Sequence, residues 1–244
     1  MTWIYLSPHF DDVALSCGGL VWQQVQAGEA VQIWTICGGA PDPSQPFSPF
    51  AQSLHKRWGT GPAAVAARRR EDLASCRVMG ARARHLAVFD CIYRTSADGQ
   101  AYYASEEALN GPLHPDEAAN AAEISRLRAA RLPRGAQVVC PLSLGNHVDH
   151  QLTRRAAEQT GHPLWYYADY PYVLRQPARL EELRQAGWKQ ETFPLSAAGL
   201  TAWQEAVAAH ASQISTFWRN EATMRAAIAD YAAQAGGIAL WQMG

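Results

Sequence analysis

Short apolar runs alternate with segments of helical period along most of the chain, and this alternation restricts the fold more than any other feature. Residues 3–7 (before Pro8), 31–36, 85–89, 137–142 and 164–168 read as strands, with 188–193 as a possible sixth. Between them lie helical patterns. Asp11 or Asp12 could cap a helix to about Ala27, with Val13, Cys17, Leu20, Val21 and Val25 on one face and Gly28 after its end. Pro62 opens a helix from about 63 to 79, closed by Gly80. Further helices are expected over 116–130, 147–159 (closed by Gly161), about 177–186, and in a long region from about 198. Strands separated by helices imply parallel crossovers. The expectation is an α/β fold, a three-layer sandwich with a mostly parallel central sheet and core strand order 3-2-1-4-5. In such a sheet the ligand site lies beyond the carboxyl ends of the strands, where strand order reverses. That places residues 7–13 and 143–151 side by side.

Composition narrows the function. With 244 residues and 48% hydrophobic residues, the chain can bury a real core as a single domain. Its net charge of −1 leaves no basic excess for a nucleic-acid backbone. No apolar run reaches the roughly 20 residues of a membrane span, and residues 1–12 lack the basic start of a signal peptide. The five cysteines never form Cys-x-x-Cys, which points to reduced thiols and a cytoplasmic setting. No Gly-x-Gly-x-x-Gly follows the first strand, no phosphate-binding Gly-x-x-x-x-Gly-Lys-Ser/Thr occurs, and Gly-x-Ser-x-Gly is absent.

The two switch-point loops read Ser7-Pro8-His9-Phe10-Asp11-Asp12 and Gly145-Asn146-His147-Val148-Asp149-His150. Both gather imidazoles and carboxylates. A catalytic zinc site takes three N/O protein ligands and keeps one position open. His9, Asp12 and one histidine of the second loop supply such a set. Asp11, next to a ligand, is placed to act as general base. His147 and His150 share a helix face, so one can bind metal while the other meets substrate. The plain alternative for Asp11-Asp12 is a helix cap.

These residues resemble those of the PIG-L/LmbE-like N-acetylglucosaminyl de-N-acetylases. Pro8-His9-Phe10-Asp11-Asp12 is similar to their Pro/Ala-His-x-Asp-Asp motif, and His147-Val148-Asp149-His150 to their His-Pro-Asp-His motif. Arg68-Arg69-Arg70-Glu71, followed by Met79-Gly80, is similar to an Arg-x-x-Glu helix of that family. The departures are Phe10 and Val148 where proline is usual, and Val13 where many members have Glu; none removes a ligand. The resemblance covers about residues 3–160. It implies a Rossmann-like fold and a zinc-dependent hydrolase that removes acetyl from a small N-acetylglucosamine-type conjugate. It implies His9, Asp12 and His150 as zinc ligands, Asp11 as general base and acid, and His147 as the group that polarises the amide carbonyl. It implies Arg68 and Asp90 as substrate contacts.

The expected organisation is one deacetylase-like domain over 1–244, with 1–160 bearing the motifs and 161–244 completing the fold. The expected partner is a small amino sugar, with no nucleic acid, no membrane and a possible homo-oligomer; iron could replace zinc. Two rivals are a metal-dependent amidase for a non-sugar amide and a catalytically silent metal- or sugar-binding protein. Asp169 to Tyr172, leaving the fifth strand, could stack on a sugar ring. The 40–61 stretch, with Phe47, Phe50, His55 and Trp58, is expected as a loop or lid. His85, His114, His162 and His210 are expected to be structural.

Overall fold

The computed structural model describes residues 1–42, 44, 46–129 and 132–244. The chain runs through β1 (Thr2–Ser7), α1 (Asp12–Gln26), β2 (Ala30–Thr35), α2 (Pro49–Arg57), α3 (Ala64–Met79) and β3 (Arg82–His85). It continues through α4 (Glu106–Leu109), α5 (Glu117–Ala129), β4 (Gln137–Pro141), α6 (Val148–Glu158) and β5 (Leu164–Tyr167). It ends with α7 (Pro177–Gln185), β6 (Lys189–Phe193), α8 (Ala197–Ala208), α9 (Ala211–Phe217), α10 (Glu221–Ala235) and β7 (Ile238–Gln242).

The strands form one sheet of order β3-β2-β1-β4-β5-β7-β6. The expected 3-2-1-4-5 core is present, and its strands are parallel. β1 is central, with Trp3 opposite both Val31 of β2 and Gln137 of β4. α1, α3 and α8 pack on one another, and α5 packs with α6. Right-handed crossovers and the reversal between β1 and β4 set these groups on opposite faces of the sheet. Two glycines inside α1 allow its closest contact. A side chain at Gly18 would stand 2.9 Å from Trp203 Cδ1, and one at Gly19 would stand 3.0 Å from the Gly199 carbonyl. Trp203 of α8 thus sits flush on α1 and donates from Nε1 to the Leu15 carbonyl at 3.0 Å.

The structure corrects the sequence reading in three places. β3 ends at His85, where the sequence puts its start. β3 is an outer strand with charged Arg82 and Arg84, so it lacks the apolar run that marks a buried strand. The apolar residues after it bridge the chain near Cys37 and Gly39 instead. The 40–61 stretch contains α2, capped by the Ser48 side chain and opened by Pro49. The tail from 198 is three helices and a strand, with β7 antiparallel between β5 and β6. The expected helix end at Ala130, and positions 43 and 45 of the 40–61 stretch, lie outside the described residues. All five cysteines are buried. Among the described residues no helix is long and apolar enough to cross a membrane.

Candidate active site

The carboxyl ends of β1 and β4 lie side by side, so the two loops that follow them meet. Asp11 precedes α1, yet its side chain makes no capping hydrogen bond. The Asp12 carboxylate folds back instead, and its Oδ2 accepts from the His9 backbone N–H at 2.7 Å. The capping alternative therefore fails for Asp11, and both carboxylates are available to the crevice.

Asp12 stands between two imidazoles. Its Oδ2 is 3.2 Å from His9 Nδ1, and its Oδ1 is 3.3 Å from His150 Nε2. The rings of His9 and His150 have centroids 5.6 Å apart. Each imidazole rests its far nitrogen on a second buried carboxylate. His9 Nε2 is 2.9 Å from Asp149 Oδ2, and His150 Nδ1 is 2.6 Å from Asp169 Oδ1. Burial disfavours charge on each imidazole, but the carboxylates prevail. His9 is held well above the ordinary imidazole value by Asp90, Asp12 and Asp149, and His150 is pushed up to about 10 by Asp12 and Asp169. Burial likewise opposes the charge on Asp12, but His150 and His9 hold its carboxyl well below the usual range. In donor chemistry this set is of the kind a divalent metal takes: once the imidazoles give up their protons it offers two nitrogens and one carboxylate, with carboxylates behind the imidazoles to fix their orientation.

His147 joins the same cluster. Its ring meets His9 edge-on at 4.9 Å, and one nitrogen from each of His9, His147 and His150 lies within 4.8 Å of the others. Its Nδ1, however, accepts from the Asp149 backbone N–H at 3.2 Å. Burial, with His9 and His150 nearby, keeps His147 well below the ordinary imidazole value. With Nδ1 accepting, the neutral ring would carry its proton on Nε2. The loop holding it is wound left-handed at Ser143 (φ 63°), Gly145 (φ 90°) and Asn146 (φ 61°). Asn146 stabilises this path by donating to the carbonyls of Asn110 and Gly111. A side chain at Gly145 would meet the Tyr172 ring at 2.8 Å. Gly145→Ala is therefore expected to cost about 1–3 kcal/mol, from positive φ and the clash together. Urea unfolding measures it, and an unchanged midpoint would refute the argument.

Arg68 on α3 reaches the same floor. Its NH2 donates to Asp11 Oδ1 at 3.0 Å, and its NH1 lies 3.6 Å from Asp90 Oδ2. Arg68 does not pair with the acidic residues of its own helix. Glu71 instead reaches Ser212, and Asp72 reaches His85. Among the described residues no hydrogen bond engages Asp11 Oδ2. His9, Asp11, Asp12, Arg68, Asp90 and His147 all line one cavity of about 420 Å³. His150 is 2% exposed, behind them. Trp58 at the end of α2, Tyr172, and residues of α9 form the outer walls.

Four residues at this site have roles that sequence reasoning did not assign. Asp149 and Asp169 serve the imidazoles from behind. The aromatic exit of β5 is split accordingly: Asp169 is buried and bonds His150 and the Leu144 N–H, while Tyr172 faces the cavity. Arg94 and Glu117 are the others. Arg94 NH1 is 2.6 Å from Asp149 Oδ1, and its NH2 is 2.8 Å from the fully buried Glu117. Burial disfavours the Asp149 charge, but Arg94 and His9 overcome it and hold that carboxyl well below the usual range. The only sequence signal for Asp149 was its place in His147-Val148-Asp149-His150. Asp169 was singled out only within the exit expected to stack on a sugar, Arg94 only by its place after the third strand, and nothing local marked Glu117.

The fold and this imidazole–carboxylate crevice define a family. A family model described as PIG-L, GlcNAc-PI de-N-acetylase, matches residues 4–160, and the chain belongs to that family. It is 31% identical over 203 residues to a 2'-N-acetylparomamine deacetylase of Niallia circulans, covering 77% of this chain and 72% of that one. It is 32% identical over 182 residues to the Streptomyces fradiae enzyme of the same name, covering 72% of this chain and 59% of that one. Its structure superposes on the zinc-inhibited form of teicoplanin deacetylase Orf2 with a TM-score of 0.82, at 26% identity over 99% of this chain and 97% of that one.

Proposed function

We propose that the chain is a zinc-dependent hydrolase that removes the N-acetyl group from a small N-acetylglucosamine-type conjugate, the whole chain acting as one domain. The observation that carries this reading is the position of Asp12. Its two oxygens face His9 Nδ1 at 3.2 Å and His150 Nε2 at 3.3 Å, on the floor of an open cavity. The family, the deacetylase names of the relatives and the zinc-inhibited neighbour support it.

His9 Nδ1, Asp12 and His150 Nε2 would hold the ion. A bound divalent cation supplies Lewis acidity, which acidifies water and polarises a carbonyl. Asp11 would take a proton from the attacking water at Oδ2, the oxygen Arg68 leaves free, and return it to the departing amine nitrogen. Arg68 would keep Asp11 and Asp90 in place, and Asp90 would accept from a sugar hydroxyl. The Nε2–H of His147 would donate to the carbonyl oxygen as negative charge builds there. Such a donor costs no reorganisation at the moment of reaction.

The test is metal analysis together with acetate release from a panel of N-acetylated sugars and simple amides. Bound zinc and acetate released from the sugars are expected. Acid released only from non-sugar amides would assign the site to another amide. Bound metal with no acid released would make the protein a binding module.

A further inference from the structure

The Arg68-x-x-Glu71 pattern is only half used by the site described above. Arg68 points to Asp11 and Asp90, while Glu71, one turn along the same face of α3, points away to α9. Its Oε1 accepts from the Ser212 backbone N–H at 2.8 Å, and its Oε2 accepts from the Ser212 hydroxyl at 2.7 Å. α9 has no cap from its own preceding residue, because the His210 side chain makes no capping bond. Glu71 fills that role from across the structure.

The bonds continue inward. Ser212 Oγ accepts from Gln213 Nε2 at 2.9 Å. A carboxylate can only accept, so the Ser212 hydroxyl proton is committed to Glu71 and its lone pair faces Gln213. The nitrogen end of the Gln213 amide must then face Ser212, which leaves the carbonyl end as an acceptor. Gln213 is 6% exposed and lines the cavity. Thr216 and Phe217, also on α9, stand on the same wall. A buried amide with its rotamer set by a carboxylate two bonds away is a preset hydrogen-bond acceptor.

We propose that Gln213 is a substrate-binding residue whose carbonyl oxygen accepts from a ring hydroxyl of the sugar, and that Glu71 and Ser212 are positioning residues that set its orientation. The proposal rests on the amino-sugar reading above. It gives one turn of α3 two tasks: Arg68 holds the floor of the cavity, and Glu71 fixes the polarity of its wall.

The test uses the zinc-loaded protein and glucosamine, which keeps the ring hydroxyls and cannot be deacetylated. A neutral hydrogen bond contributes about 0.5–1.5 kcal/mol, or up to about tenfold in affinity. Gln213→Leu is expected to weaken glucosamine binding by calorimetry up to about tenfold. KM for an N-acetylated sugar should rise by a similar factor, with kcat changed less than about twofold. Glu71→Ala is expected to act in the same direction, and Glu71→Gln, which still accepts from the Ser212 N–H, to recover part of the loss. The Glu71→Ala/Gln213→Leu pair should be no worse than Gln213→Leu alone, since Glu71 acts through Gln213. Thermal unfolding checks that each variant is folded. Additive losses, unchanged binding in Gln213→Leu, or a fall in kcat with KM intact would overturn the proposal. So would wild-type protein that binds no glucosamine. Wild-type protein that binds glucosamine but releases no acetate would sink the deacetylase reading and leave this one standing.

Discussion

Asp11→Asn is expected to lower kcat by about 10²–10⁴-fold, the usual worth of general acid–base catalysis, while zinc content stays at the wild-type level. The separation follows from geometry. Asp12, not Asp11, stands between His9 and His150, so the amide at position 11 removes no donor from the metal set. Some stability should be lost, because buried Arg68 keeps only Asp90 as a charged partner, but the fold should persist. The Asp11 side chain caps nothing, an Asn oxygen can still accept from Arg68, and Arg68 keeps Asp90 within 3.6 Å. What is lost is a group that can take a proton from water and hand it on to the amine. Acetate release and metal analysis on the same preparation read the two quantities. Wild-type kcat in Asp11→Asn would remove Asp11 from the proton path. Loss of zinc with activity would move it into the metal set.

The part of this site that the sequence displayed is the part built from local pattern. β1, β2 and β4 are buried parallel strands that read as apolar runs, and the sheet reversal between β1 and β4 brought residues 7–13 and 143–151 together before any coordinates. What stayed hidden depends on distant partners. β7 pairs antiparallel with β5 and β6, and nothing local in Ile238–Gln242 announces which strands it joins. Gly236, at φ 70°, closes α10 just before it, a stop that the expectation of one long helical region from 198 passed over. α2 was missed although Ser48-Pro49 is a cap followed by proline at the first helical position, because the surrounding Pro/Ser/Phe composition suggested a loop. The ion-pair roles of Arg94 and Asp169 were hidden for a different reason. A buried charge is identified by its counter-ion, and theirs lie 55 and 19 residues away, on Asp149 (149 − 94) and His150 (169 − 150).

That hidden network carries the second large effect. Asp149→Asn is expected to destabilise the protein by about 3–5 kcal/mol and to weaken zinc binding about 10–100-fold. The first figure comes from Arg94, which is 6% exposed and holds Asp149 at 2.6 Å and Glu117 at 2.8 Å. Removing the Asp149 charge leaves Arg94 with Glu117 alone and takes a counter-ion from His9 as well, and this imbalance of buried charge costs far more than the intact pairs contribute. The second figure comes from His9. Its Nε2 lies 2.9 Å from Asp149 Oδ2, and second partners of this kind are worth one to two decades in metal affinity. Asp169→Asn separates the two terms. Asp169 backs His150 and accepts from the Leu144 N–H, with no arginine attached. It should therefore weaken zinc by a similar factor at a smaller cost in stability. Urea unfolding of the metal-free protein isolates the first quantity, and competition with a zinc-binding dye isolates the second. If Asp149→Asn and Asp169→Asn lose equal stability, Arg94 is not the source of the difference, and the line of charge from Glu117 to His9 is packing rather than support for the metal ligand.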